Sequence, residues 1–386
     1  MSAFIDSCKF ENDYCFSRST SCISTLVHFI IGEVGIDLRD IRRGRAFNSW
    51  QAMVRHVKFA ALVIVGLLLG VADMDAQQQP SPQTGAARQS LDDAWWTGPL
   101  LAPSAATLPR GHVLIEPYVY DATTQGFYNS SGARVSAPHS NGFGSLTYIN
   151  YGLANKFTVG LIPTFGYNDV SAGLNSAGIG LGDLTVQAQY RISQFHEGRW
   201  IPTTSINVQE TFPTGRYDQL GTRPSDGFGA GACTTTLGLF SQTFFWLPNG
   251  RILRARFNLT QAFSNNVNVQ DVSVYGTEAG FRGHANPGST LLIDAAGEYS
   301  VTRSWVLALD AIYRHQGNTA VAGYNILDAN QPVQLNSGFS QEFGFAPAIE
   351  YNWKRSVGVI FGARLIGPAR NTARTITPVM AVNYVH

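Results

Sequence analysis

From about residue 111 onward, apolar and polar residues alternate in runs of about ten, separated by clusters of Gly, Asn, Ser and Asp. After Asp183, residues Leu184, Val186, Ala188, Tyr190 and Ile192 alternate with Thr185, Gln187, Gln189, Arg191 and Ser193. Successive strand side chains point to opposite faces, so this spacing predicts a strand with one apolar and one wet face. The pattern recurs where Leu253, Ala255, Phe257 and Leu259 oppose Arg254, Arg256, Asn258 and Thr260, and where Leu291, Ile293, Ala295 and Tyr299 oppose Asp294 and Glu298. It recurs again where Trp305, Leu307, Leu309 and Tyr313 oppose Asp310 and Arg314, and where Phe343, Phe345, Ile349 and Tyr351 oppose Glu342 and Glu350. The runs predict strands near 112–120, 142–152, 156–168, 181–193, 200–212, 228–246, 251–264, 289–300, 304–315, 339–353, 356–367 and 373–385.

A soluble β-sandwich would show the same alternation, so periodicity alone does not place the apolar face. Three features favour a membrane. Trp200, Trp246, Trp305, Tyr313, Tyr351 and Trp353 fall near strand ends, where an interfacial girdle lies. Short turns near 153–155, 194–198, 248–250, 301–303 and 354–356 alternate with longer polar loops near 121–141, 169–179, 214–227, 265–288 and 316–338. A secretory signal precedes the region. The expected fold is all-β: a transmembrane antiparallel up-and-down β-barrel of about 12 strands with an irregular N-terminal lead-in, set in the outer-membrane lipid of a Gram-negative-type bacterium.

The signal lies within residues 53–76, where Arg55 and Lys58 precede an apolar core from Phe59 to Val71. That core is shorter than the roughly 20 residues of a spanning helix. Gly70 with Ala72 marks one cleavage point, and Ala76 before the Gln-rich start at Gln77 marks another. Such signals normally begin a chain, so residues 1–52 are expected to be an upstream extension absent from the mature protein. The rival reading is a cytoplasmic extension with an inner-membrane anchor. Residues 77–110, rich in Pro, Gln and Ala, form a lead-in without sustained periodicity, and residues 111–386 form the barrel. Trp95, Trp96 and Leu100 are too apolar for a spacer and are candidates for a constriction at the barrel mouth.

Composition narrows the function. Charged residues make up 14% of the chain and aromatic residues 12%, with 39 glycines, a mixture unusual for a soluble enzyme. A formal net charge of +1 offers no basic stripe for phosphates, so nucleic acid is not an expected partner. Cys8, Cys15 and Cys22 recur at a spacing of seven without a CxxC pair, a pattern that argues against zinc. Gly178-x-Gly180-x-Gly182 leads into a strand and not a helix N-terminus, which argues against a phosphate cradle. His139-Ser140-Asn141-Gly142 falls one residue short of the His-x-Ser-Asn-Gly signature of outer-membrane phospholipases, and no Gly-x-Ser-x-Gly elbow is present. The expectation is therefore no enzyme and no cofactor.

The inward face gathers Glu116, Asp183, Gln187, Arg191, Arg254, Arg256, Asp294, Glu298, Asp310, Arg314, Glu342, Glu350 and Arg364 as lumen-lining candidates. Both signs occur in similar number, as in a ladder of ion pairs filling a narrow barrel.

Gly178-Ile-Gly-Leu-Gly-Asp183-Leu, Tyr151-Gly-Leu, Glu210-Thr-Phe-Pro-Thr-Gly215, and Leu108-Pro-Arg-Gly-His112 followed by Glu116-Pro-Tyr118 stand in order along the chain. Together they resemble the meta-pathway phenol-degradation family over about residues 95–386. The resemblance implies an outer-membrane barrel linked to uptake of aromatic or other hydrophobic compounds, that is, a passive channel for small hydrophobic solutes. A structural or adhesive barrel is the alternative, with an outer-membrane esterase or phospholipase behind it. The last strand, ending in Tyr384-Val385-His386, resembles the C-terminal signal read by the barrel-assembly machinery, with His386 in place of the usual Phe or Trp.

Overall fold

The computed structural model describes residues 88–386. The expected extension at 1–52, the signal at 53–76 and the first part of the lead-in, to residue 87, lie outside the described residues.

Twelve barrel strands follow one another around a closed antiparallel sheet. They are β1 (Val113–Tyr128), β2 (Ser140–Ala154), β3 (Phe157–Ile162, resumed after Pro163 as Thr164–Val170), β4 (Leu184–Ser193), β5 (Thr203–Phe212) and β6 (Thr234–Trp246). The second half comprises β7 (Ile252–Ser264), β8 (Thr290–Ser300), β9 (Trp305–Gln316), β10 (Ser340–Lys354), β11 (Val357–Arg370) and β12 (Thr372–Val385). Pairing of β1 with β12 closes the ring, and the two ends meet where the Val113 N–H donates to the His386 carbonyl at 3.0 Å. Closure leaves the barrel without an edge strand, the condition for crossing a bilayer with strands.

Alternation now acquires a direction. Ile115, Val119, Leu161, Leu239, Phe257, Leu307, Ile349, Phe361 and Met380 are exposed, while Asn207, Glu298, Asp310 and Glu350 are buried. An inside-out distribution of this kind fits lipid outside the barrel and polar packing within it. Trp305, Tyr351 and Trp353 form a contiguous aromatic group near one rim, with centroid separations of 4.6 and 5.2 Å. That rim carries the short turns 155–156, 247–251, 301–304 and 355–356 and both barrel termini. The opposite rim carries the long loops, as in an outer-membrane barrel.

Several expected strand bounds are corrected. Strand β1 runs eight residues past the expected end at 120, because Thr123, Phe127 and Tyr128 still pair with β12 above the apolar band. The segments expected as loops at 265–288 and 316–338 contain strands, Val267–Gln270, Phe281–Asn286, Ala320–Asn325 and Gln331–Asn336, which pair in that order into a second sheet. Val267, Val269, Phe281, Ala285 and Val321 bury against Tyr217 and Ala232, giving these loops an apolar core of their own. Conversely, β6 begins at Thr234, since residues 228–233 belong to a loop, and β5 begins at Thr203.

Candidate functional site

The described lead-in, residues 88–110, holds no strand and one short 3-10 turn at Leu91–Asp93. It starts at the short-turn rim, where the Gln89 N–H donates to the Gly250 carbonyl at 2.9 Å and the Trp95 N–H to the Arg303 carbonyl at 3.0 Å. Asp92 and Asp93 pair there with Arg355 and Arg303. The chain then crosses the bore. Thr97 and Gly98 donate their N–H groups to Glu350 Oε2 at 2.7 and 3.2 Å. Leu100 donates to Asp310 Oδ2 at 3.1 Å, and Leu101 and Ala102 donate to Oδ1 at 3.3 and 3.0 Å.

Farther across the bore the wall donates as well as accepts. Arg256 Nη1 reaches the Ala102 carbonyl at 2.7 Å, and Asn258 Nδ2 reaches the Pro103 carbonyl at 2.9 Å. Gln242 Oε1 accepts from Ser104 Oγ and the Ala105 N–H at 3.0 and 3.1 Å, while Gln189 Nε2 donates to the Ser104 carbonyl at 3.0 Å. The segment returns to the rim it came from, where the Arg110 N–H donates to Asn155 Oδ1 at 3.0 Å and the Gly111 N–H to the Gly152 carbonyl at 2.8 Å. Irregular backbone at membrane depth needs a partner for each buried polar group, and the wall's carboxylates, amides and guanidinium supply them. Close approach matters too: a Cβ on Gly358 would stand 2.1 Å from Thr97 Oγ1, and one on Gly362 would stand 2.7 Å from Leu100 Cδ1. Glycine on β11 leaves the room that the crossing chain occupies.

Two cavities flank this crossing. One, of about 450 Å³, lies towards the loop rim and is lined by Tyr120, Ala122, Leu146, Ile366, Ala373, Thr375 and Val379, with Arg314, Glu342 and Arg364 at one side. The other, of about 260 Å³, is more polar and is lined by Trp96, Glu116, Asn150, Gln187, Gln189, Gln209, Arg254 and Arg256 among others. Leu100, Leu101, Tyr118 and Tyr148 line both. Tyr118 and Tyr148 meet edge to face at 5.9 Å, and Leu100 buries against Tyr118, Ala346, Ile360, Val379 and Ala381. These four side chains form the narrow partition between the cavities.

The sequence candidates fall into distinct groups. Arg254 forms a buried ion pair with Glu298, its Nε donating to Oε2 at 2.6 Å, and its guanidinium stacks 4.6 Å from the Trp96 ring. Arg256 Nε lies 3.0 Å from Glu298 Oε2, too bent for a hydrogen bond but close enough for an ion pair. Arg364 pairs with Glu342. Asp310 and Glu350 bind backbone N–H groups of the lead-in, so the inward charges form only in part the ladder expected. Asp294 is buried, and neither carboxylate oxygen has a hydrogen-bond partner among the described residues. Gln187 donates to Asn150 Oδ1 at 2.7 Å; Glu116 is buried, and Arg191 is half-buried on β4.

Asp183 lies elsewhere. It precedes β4 at the loop rim, where Oδ1 accepts the Gly215 N–H at 2.9 Å and Oδ2 the Ala230 N–H at 2.7 Å. Burial pushes its carboxyl above the ordinary value, and those N–H bonds oppose the shift. Trp95 stays at the short-turn rim with its ring 5.7 Å from Arg303, and Trp96 lines the polar cavity; of the three mouth candidates, Leu100 alone belongs to the partition. Leu101, Tyr118 and Tyr148 were not singled out from the sequence. Parity would have found the first tyrosine, since Tyr118 stands two residues beyond Glu116 on the same strand face.

A closed barrel with an apolar exterior, a polar interior and a chain segment threaded across its bore is an outer-membrane β-barrel. The chain belongs to the family described as "Putative MetA-pathway of phenol degradation", whose sequence profile matches residues 111–377. Among solved structures, an outer membrane channel from Pseudomonas putida F1 is similar in fold, with a TM-score of 0.56 at 15% sequence identity, covering 74% of this chain and all of that one (100%). The transport unit of the autotransporter AIDA-I from Escherichia coli aligns with a TM-score of 0.38 at 10% identity, covering 74% of this chain and 93% of that one, too weakly to add to the argument. No curated protein matches the chain.

Proposed function

We propose that the protein is an outer-membrane channel through which small hydrophobic or aromatic compounds pass without energy coupling. The observation that carries this reading is the pair of cavities, which share Leu100, Leu101, Tyr118 and Tyr148 as a common wall. A solute coming from the loop rim enters the larger cavity first, where Tyr120, Leu146, Ile366 and Val379 offer a lining suited to flat apolar molecules beside Arg314, Glu342 and Arg364. Beyond the partition the lining is amide and guanidinium, from which an apolar molecule is released more readily than it is held. Family membership, with its description in terms of phenol degradation, agrees with an aromatic cargo.

The same reading makes the protein a conduit and not an enzyme. His139 Nδ1 faces the Thr124 carbonyl at 3.1 Å and is thereby occupied away from the neighbouring Ser140 hydroxyl. Export through the signal at 53–76 and insertion by the barrel-assembly machinery acting on β12 complete the proposal. N-terminal sequencing of outer-membrane protein tests the first of these, with a start at Asp73 or Gln77 expected. Function is tested by growth on limiting aromatic carbon sources. A strain lacking the gene should grow more slowly and recover with the gene restored; equal growth would count against the channel.

A further inference from the structure

We propose that the 450 Å³ cavity is a binding site for a small molecule with an aromatic body and a carboxylate head, the head being taken by Arg314. The inference rests on the channel reading and narrows its cargo. Cross-strand register sets Arg314 on β9 directly opposite Glu342 on β10, the ordinary arrangement for an ion pair. Glu342 is committed in the other direction: Arg364 holds Oε1, and Thr372 Oγ1 donates to Oε2 at 3.3 Å. Among the described residues Arg314 forms no ion pair, and its side chain makes a neutral contact, Nη2 donating to Gln316 Oε1 at 3.2 Å. Two guanidinium groups and one carboxylate line the cavity, and the carboxylate is taken by Arg364, which leaves the Arg314 guanidinium without an ion-pair partner on the cavity wall.

The rest of the lining fixes the body of the ligand. Leu101, Tyr120, Leu146 and Tyr148 line the same cavity from the lead-in, β1 and β2. Such a wall takes a ring by its faces and edges, while a guanidinium matches a carboxylate with two parallel N–H donors. The volume falls within the roughly 300–1,000 Å³ of small-molecule sites. A neutral hydrocarbon would fill the apolar part and leave Arg314 unused, so charge at the head is what this site adds to the channel's selectivity.

Benzoate and benzyl alcohol, which share a ring and differ in charge, are the probes. Binding is measured by calorimetry on the detergent-solubilised mature protein. Benzoate should bind more tightly than benzyl alcohol, and Arg314→Gln should weaken benzoate by roughly ten- to hundredfold while leaving benzyl alcohol within about twofold. Arg314→Lys keeps the charge but not the fork and should bind benzoate more tightly than Arg314→Gln yet more weakly than the wild type, which separates loss of the head contact from loss of the fold. Equal binding of the two probes to the wild type, or an Arg314→Gln variant that binds benzoate as the wild type does, overturns the proposal. If benzyl alcohol alone binds, the charged head fails and the channel reading stands; if neither binds, both fail.

Discussion

The Asp310 carboxylate on β9 accepts the backbone N–H of Leu100 at 3.1 Å, a contact between a wall residue and a lead-in residue 210 positions away in the chain. The same carboxylate also takes the N–H groups of Leu101 and Ala102. One side chain therefore fixes the part of the lead-in that forms the partition.

Asp310→Ala should free that segment without preventing closure of the barrel. Three buried N–H groups would lose their acceptor, at about 1–3 kcal/mol each if they stayed in place, so the crossing chain should leave the bore instead. Planar-bilayer recordings should show larger or longer openings than the wild type. Unchanged conductance in a barrel that retains heat-modifiable migration would mean that Asp310 does not hold the partition.

Register makes a second forecast. Leu307 is half exposed on the outer face of β9, whereas Gln187 on β4 is hydrogen-bonded inside the barrel. Leu307→Arg should cost roughly 2–4 kcal/mol in urea refolding into lipid vesicles, and Gln187→Arg should cost less. Equal losses would show that the faces are assigned wrongly.

The loop sheet should be sensitive to acid. Asp271 Oδ1 accepts from Arg282 Nη1 and from the Gly280 N–H, each at 2.9 Å, and the Arg282 bond foremost holds its carboxyl below the ordinary value. A depressed folded-state pKa contributes stability that is fully present above the unfolded value near 3.9 and is lost as pH falls through the folded value. Amide exchange in residues 267–286 should therefore quicken relative to the barrel strands as the pH falls below about 4, and Asp271→Asn should remove most of that pH dependence. Protection that is indifferent to pH in the wild type would contradict the role given to this pair.

Much of the barrel was legible in the sequence because a wall with lipid on one side must alternate, and most of the twelve strands show that period, 200–212 and 228–246 least clearly. The loop-rim strands were not legible for the same reason. Above the lipid, the strand Val267 to Gln270 is four residues long and buries Val267 and Val269 against Tyr217, Phe281 and Val321 from other loops, and Tyr128 buries against Ile366 and Ala369, so no long run of alternation marks these segments. The lead-in lacks any period, and its partners Asp310, Glu350, Arg256 and Gln242 lie on four different strands. Charge parity pointed to Asp310 and Glu350 as inward residues, but nothing local indicated that they would bind a peptide backbone in place of an arginine.

Passage through the bore is tested most directly by filling the larger cavity. Ala122 and Ala373 line it from β1 and β12, and the double variant Ala122→Trp/Ala373→Trp narrows it without touching the partition or the anchors of the lead-in. The measurement is the initial rate of uptake of a radiolabelled monoaromatic hydrocarbon at limiting concentration, in cells lacking the gene that carry the wild type, the double variant or an empty vector. With both barrels present in the outer membrane in equal amount, the wild type should exceed the empty vector and the double variant should match it. A double variant as fast as the wild type would contradict passage through this bore.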